Sequence, residues 1–310
     1  MTARLTANSS GSGWTVVDLA SLVDTRQVAG SVPARSAVWI GRCRLVQIVS
    51  HHLRKLPSTG GVAVRIATWN LERPSRRSWK RLPRQRARMA EVDADVWVLT
   101  ETRASIAPAD GFHGVHTPPH QLRRPDEDER WVSIWSRWPL QPTDLPPDPR
   151  GAVSAVVEAP DGPVLVYGTV LPWANDPGDD GSRRMWQVHY EQIERQGAEW
   201  RLLRERHPVL PLVFAGDFNQ DRDGSGWYGT HHGRQLLTDA LDDAGLICAS
   251  AEDVVATGKL RAHHLVDHIA ICSRWAVRSD LALHCWEHID IDGTRLSDHP
   301  TVALDVVAAS

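Results

Sequence analysis

From Val62 onward the sequence predicts an α/β or layered α+β domain. Short apolar, β-rich runs alternate with longer segments at helical period. Several of those runs close on a tight polar signature, and 42% hydrophobic content over 310 residues is ample for a buried core.

The elements follow in order. Val62–Thr68 reads as the first strand, Ser78–Ala90 as a helix and Val96–Thr100 as a buried strand. Gly111–Asp128, rich in His, Pro and Asp, reads as a loop. Trp131–Trp135, Val153–Ala159 and Val164–Val170 read as consecutive strands joined by turns at Pro146–Gly151 and Asp161–Pro163, a pattern that favours antiparallel neighbours. After the loop Asn175–Gly181, Ser182 is placed to cap a long helix reaching Arg206, with Met185, Val188, Ile193, Trp200 and Leu203 near helical spacing. Val209–Ala215 is a strand, Gly233–Ala244 a helix stopped by Gly245, and His264–Ile271 and Thr301–Val307 are the closing strands.

Residues 1–60 differ from the rest and are expected to form an N-terminal extension, with 61–310 as one catalytic domain. The first segment is Ser/Gly-rich at its start and carries seven Lys/Arg against two Asp, a net +5 that leaves −8 for the remainder of a chain whose total is −3. Its apolar stretches, Trp14–Leu22 and Val38–Val49, suggest a helix or strand, and Pro57–Gly61 reads as a linker. The overall charge disfavours a protein that coats nucleic acid by charge alone, while a local basic patch stays open. Cys43, Cys248, Cys272 and Cys285 form no CxxC pair, against a thiolate zinc site or a disulfide framework. The N-terminus lacks an apolar signal-like core and no stretch reaches membrane-spanning length, so a cytoplasmic location is expected. Fourteen Trp against three Phe and three Tyr read mostly as core and cleft lining, with a few able to stack on a base or sugar.

Four signatures carry the chemistry: Thr68-Trp69-Asn70-Leu71-Glu72, Thr100-Glu101-Thr102, Gly216-Asp217-Phe218-Asn219 and Ser297-Asp298-His299. Any one alone is ordinary turn chemistry after a strand. Together they put Asn, Glu, Asp and His at strand ends, as metal-assisted attack on phosphorus requires. Asn70 and Glu72, two apart, leave the same face if the strand continues that far, and so do Asp217 and Asn219. Glu101 is a hard carboxylate suited to Mg²⁺ or Mn²⁺. The run from Asp217 to Asp223 also invites a calcium-loop reading, but it lacks the later Gly and terminal Glu of that motif. An unperturbed imidazole such as His299 titrates near neutrality and suits proton transfer.

In this order the four signatures resemble the endonuclease/exonuclease/phosphatase superfamily, over about residues 62–308. The resemblance implies a four-layer α/β sandwich, two mixed β-sheets face to face with helices outside, and the site at one rim. It implies hydrolysis of a phosphoester by direct water attack, with Mg²⁺ or Mn²⁺ held by Glu101, Glu72 and Asp298. His299 oriented by Asp267 forms an acid/base pair, Asp217 aligns or deprotonates water, and Asn219 and Asn70 contact phosphate. Trp173 is a further substrate contact. Which of His299 and Asp217 takes the proton is left open. Where Val170 stands, relatives commonly carry His or Tyr; Tyr167, His189 or Trp173 are candidates to act in its place.

The expected function is thus a nuclease or phosphodiesterase, with a small-molecule phosphomonoesterase or a weakly catalytic binding module of the same shape as alternatives. Its partner is a phosphoester substrate, with nucleic acid among the candidates, and no protein partner is inferred. Arg73 to Arg88 holds eight Lys/Arg and no acid, which fits either a phosphate-tracking face or a solvated helix. The pairs His51/His52, His231/His232 and His263/His264 lack metal-helix spacing with a third ligand and read as structural or surface residues, and His113, His116 and His120 as loop residues.

Overall fold

A computed structural model describes residues 3–7, 14–18, 64–75, 80–119, 126–146, 148 and 151–308. The chain divides into two compact units, Met1–Ser58 and Thr59–Ser310. In the first, β1 (Ala3–Ala7) pairs antiparallel with β2 (Trp14–Asp18), a strand at the start of the apolar stretch Trp14–Leu22. The other stretch, Val38–Val49, and the pair His51/His52 lie outside the described residues.

The second unit runs β3 (Val64–Asn70), α1 (Arg81–Val92), β4 (Val96–Arg103), β5 (His113–His116), β6 (Glu129–Ser136), β7 (Leu140–Pro142), β8 (Ala152–Val157) and β9 (Val164–Val170). It continues with α2 (Gln187–Arg206), β10 (Leu212–Asp217), α3 (His231–Asp243), β11 (Leu246–Cys248), β12 (Asp267–Cys272), the short α4 (Ser273–Ala276), β13 (Ser279–Trp286) and β14 (Thr301–Ala308). Two six-stranded sheets result, ordered β11-β12-β10-β9-β8-β7 and β13-β14-β3-β4-β6-β5. Each contains one parallel pair, β9 with β10 and β3 with β4, bridged by α2 and α1 respectively. Parallel neighbours need such a crossover, and the remaining pairs are antiparallel.

Alternation of side chains along the strands sorts the apolar residues into three layers of core. Between the sheets lie Val98, Ile134, Val166, Ala215, Ile269 and Leu304. Outside one sheet, Phe214 packs with Trp200 and Leu203 of α2 and Leu237 of α3; outside the other, Trp69 and Trp97 pack with Met89 and Val92 of α1. The protein is therefore a four-layer α/β sandwich, and many of its tryptophans are spent as core, with Trp69, Trp97 and Trp200 fully buried. Gly168 lets the sheets approach, because a Cβ there would stand 2.7 Å from the Val132 methyl.

Several local expectations differ from the structure. The loop expected over Gly111–Asp128 contains β5, an edge strand that pairs with β6 and seats His116 edge-on against Trp135 at 5.0 Å. Ser182 does not cap α2: its hydroxyl bonds Asp180 at 2.7 Å, and the helix begins after Trp186, which has a left-handed φ of 68°. The next helix starts two residues earlier than expected, because the Thr230 hydroxyl accepts from the Gly233 N–H at 2.9 Å. Strand β13, not expected from the sequence, has no fully buried residue, and only Leu283 and Cys285 of it pack against the core between the sheets. Among the described residues no helix is long and apolar enough to cross a membrane, and Cys248, Cys272 and Cys285 are free thiols.

Candidate active site

The polar signatures meet at one rim because they end strands of both sheets. Asn70 closes β3, Glu101 lies near the end of the neighbouring β4, Asp217 closes β10, and Asp267 opens β12 directly opposite Asp217 in the antiparallel register. His299 arrives on the segment before β14. The turns are sharp: Glu72, Arg73, Glu101 and Asn219 all have φ between 43° and 54°, left-handed values rare for residues with a side chain. Gly216 is required by the backbone itself, since at φ 142° a Cβ would fall 1.8 Å from the Thr169 carbonyl oxygen.

Asn70 is the hub. Its amide donates to Asp217 Oδ2 at 3.0 Å and to Glu101 Oε1 at 3.3 Å, while its Oδ1 accepts from the Glu72 N–H at 2.8 Å. Asp217 also accepts from the Asn219 backbone N–H at 2.9 Å and from the Asn219 amide at 3.2 Å. That amide's other bond goes to the Leu171 carbonyl at 2.9 Å, which anchors the side chain while its backbone N–H and one amide hydrogen brace Asp217. His299 Nδ1 lies 2.6 Å from Asp267 Oδ2, which leaves Nε2 as the ring's free edge, 3.8 Å from Asp298 Oδ1. The His299 carbonyl accepts from the Trp69 indole at 3.0 Å, fixing the backbone behind the ring.

Glu101, Asp217, Asn219 and His299 line a cleft of about 460 Å³ that also takes in Trp173, Val170, Asp176 and Asp298. Glu72, an expected metal ligand, is placed differently from its neighbours. The strand stops at Asn70, so Glu72 turns away from the face shared by its neighbour, and its carboxylate is held by Arg81 at 2.6 Å and by Arg295. Val170 is buried in the cleft wall, and the nearby His189 is turned into the core with a 2.6 Å bond to the Pro172 carbonyl, while Tyr167 is committed to Glu199 at 2.7 Å. Of the three candidates to act in Val170's place, only Trp173 faces the cleft.

The electrostatics concentrate negative charge. Burial pushes the Asp217 carboxyl up; the His299 charge pulls it down, Asp267 and Glu101 push it up again, and the net direction is upward. For His299 burial opposes the charged ring, but the Asp267 and Asp217 carboxylates and the short bond to Asp267 outweigh it and raise the imidazole to about 10. The Asp267 Oδ1 is buried with no hydrogen-bond partner, and ligand atoms of Asp217, Asp267 and His299 all lie within 4.8 Å of one another. With its imidazole charged, that cluster is an acid/base set, while the hard carboxylate oxygens of Glu101 and Asp298, which line the same cleft, are the donor type a divalent cation fits.

Sequence reading missed part of the site. Arg73 reaches Glu101 Oε2 at 3.0 Å and lies over the Trp131 ring at 4.5 Å, and Trp227, Tyr228 and His263 form another stretch of wall. The spacing rule for metal-binding helices also passed over His264, whose Nδ1 lies 2.7 Å from Asp223 with Asp253 beyond at 4.0 Å. Among the described residues of the basic segment, Arg81 pairs with Glu72, Arg84 with Asp290 and Asp292, and Arg88 with Glu91.

A family model for the Endonuclease/Exonuclease/phosphatase family matches residues 67–299. No curated protein matches the sequence. Among solved structures, the chain is similar to a 3'-5' exonuclease (NExo) from Neisseria meningitidis, with a TM-score of 0.57 and 20% identity over 79% of this chain and 100% of that one. It is similar to the AP endonuclease LMAP from Leishmania major at TM-score 0.58 and 15% identity, covering 80% of this chain and 88% of that one. The human Nocturnin catalytic domain gives 0.54 and 13%, covering 80% and 96%.

Proposed function

The chain belongs to the Endonuclease/Exonuclease/phosphatase family, and from that premise we propose that it is a divalent-metal-dependent phosphoesterase, a nuclease or phosphodiesterase that cleaves a P–O bond by direct attack of water. The observation that carries the reading is Asn70, whose one amide links Glu101 to Asp217 at the rim where both sheets end. The bridge ties a carboxylate at the end of β4 to one at the end of β10, so both are held at the same rim by one neutral donor. The solved structures named as nucleases are consistent with this choice.

In this reading Glu101 and Asp298 would hold Mg²⁺ or Mn²⁺, which would supply positive charge to the phosphoryl and leaving oxygens. Glu72, clasped between Arg81 and Arg295, supports the turn behind Glu101 and stands outside the ligand set. Water bonds to phosphorus as the P–O bond to the leaving group breaks, and Asp217, whose affinity for protons burial has raised, accepts the water's proton. His299, kept charged by Asp267, presents Nε2–H to the phosphoryl oxygens. Asn219 acts through Asp217, holding its carboxylate in place, and Trp173 offers a contact to the substrate beyond the phosphate.

The test is hydrolysis of a panel of DNA, RNA, phosphodiester and phosphomonoester substrates with and without divalent metal. Turnover of a phosphodiester that requires Mg²⁺ or Mn²⁺ and is abolished by Glu101→Gln is expected. Undiminished activity of wild type in excess chelator, or of that variant, would sink the metal mechanism.

A further inference from the structure

Of the large apolar side chains that remain exposed in the described residues, two are tryptophans, Trp173 (52% exposed) and Trp227 (48%), and both line the same cleft. Leaving an indole in water forgoes the burial energy its neighbours collect, so two at one cleft call for a ligand. We infer that Trp227 is the stacking face of a nucleobase subsite, so that the phosphoester taken by this cleft carries a nucleoside.

Trp227 is held still. It lies on the loop between Asp217 and Thr230, and that loop is tied at its base by Asp221, which accepts from the Tyr228 N–H at 3.0 Å and pairs with Arg234 at 3.0 Å. The Asp221 N–H closes the loop on the Tyr228 carbonyl at 2.8 Å. Tyr228, His263 and His264 pack around the indole with ring centroids 6.2, 5.4 and 5.9 Å away. A fixed indole with half its surface open is a preorganised platform, and stacking on it costs little side-chain entropy.

The surroundings select the kind of ligand. Acidic and imidazole groups interleave with the tryptophans, which suits a flat polar heterocycle and disfavours a lipid chain. The third indole of the wall, Trp131, already lies under the Arg73 guanidinium. Among the described residues Arg73 is the arginine lining the cleft, and it is paired with Glu101 as Arg81, Arg84 and Arg88 are paired with other acids, so the cleft is better matched to a small nucleotide ester than to a long polyanion. The inference rests on reading the cleft as a phosphoester site.

Calorimetric titration of the full-length protein with adenosine 5'-monophosphate and with ribose 5-phosphate, at fixed magnesium, isolates the base. The wild type should bind the nucleotide about ten-fold or more tighter than the sugar phosphate. Trp227→Ala should remove that difference while leaving ribose 5-phosphate affinity unchanged, and Trp227→Phe should keep most of it. Equal affinity of the wild type for both ligands overturns the subsite, and so does a Trp227→Ala variant that keeps the preference or weakens both ligands alike. Failure of the phosphoesterase reading would appear separately, as no turnover on the substrate panel, since the titration requires none.

Discussion

The amide of Asn70 donates to the Asp217 carboxylate across 3.0 Å, and the two residues end strands of different sheets, β3 and β10. The bond therefore fixes the spacing of the two sheets at the point where the proposed chemistry occurs. It also supplies Asp217 with a neutral donor, which holds the carboxylate without cancelling the charge that a base needs.

Asn70→Ala should accordingly lower turnover by about 10²-fold or more, the scale of losing one preorganised donor at a reacting centre. The far-ultraviolet spectrum should be unchanged, because the strand's backbone ladder does not involve the side chain. Asn70→Asp should be at least as damaging, since it adds a carboxylate between two others. A rate within a factor of a few of wild type for Asn70→Ala would remove the residue from the mechanism.

His299 and Asp267, joined at 2.6 Å, should behave as one unit. His299→Ala and Asp267→Asn are each expected to lower the rate by about 10²-fold or more. The double variant should be little worse than the worse single one. Multiplicative losses in single-turnover rates would show two independent contributions.

Acid stability offers a check away from the cleft. Asp305 on β14 accepts from Arg65 at 2.5 and 2.6 Å and from His284 at 3.0 Å. Burial opposes its ionisation, but the Arg65 and His284 hydrogen bonds outweigh it and hold the carboxyl well below the usual range. A depressed folded-state value stabilises the native protein above the unfolded carboxyl's pKa of about 4, and the contribution is lost as pH falls below it. Asp305→Asn should cost about 1.5 to 3 kcal/mol at pH 7. The gap in urea midpoint between variant and wild type should narrow as the pH is taken from about 5 to 3. A gap that widens in acid would reverse the assignment.

Residues 1–60 are proposed to be dispensable for catalysis. Both six-stranded sheets and every cleft residue discussed above come after Val64. A chain beginning at Gly61 should keep its metal-dependent rate, measured beside its melting temperature. Precipitation or a markedly lower melting point would move the domain boundary upstream.

The sequence by itself determined the layered α/β class, the family and the identity of the groups at the strand ends. Those are local properties. An apolar run followed by Asn, Glu or Asp marks a strand end whatever lies beside it, so Asn70, Glu101 and Asp217 were legible there, while His299 and Asp267 were read from the family resemblance. What tertiary structure decided are relationships between residues far apart in the chain. Glu72 looked equivalent to Asn70 by spacing, yet the strand ends at Asn70 and a left-handed turn delivers Glu72 to Arg81 and Arg295. Arg73 to Arg88 read as one basic stripe, but Arg73, Arg81, Arg84 and Arg88 are paired with acids, some as distant as Asp290 and Asp292. Trp227 and His263 carry no local signal, and they reach the cleft only because β10 and β12 pair side by side and bring their flanking loops together. A side chain's type is written in sequence, but its neighbours depend on how the sheets pair and stack, and charge and binding are properties of neighbours.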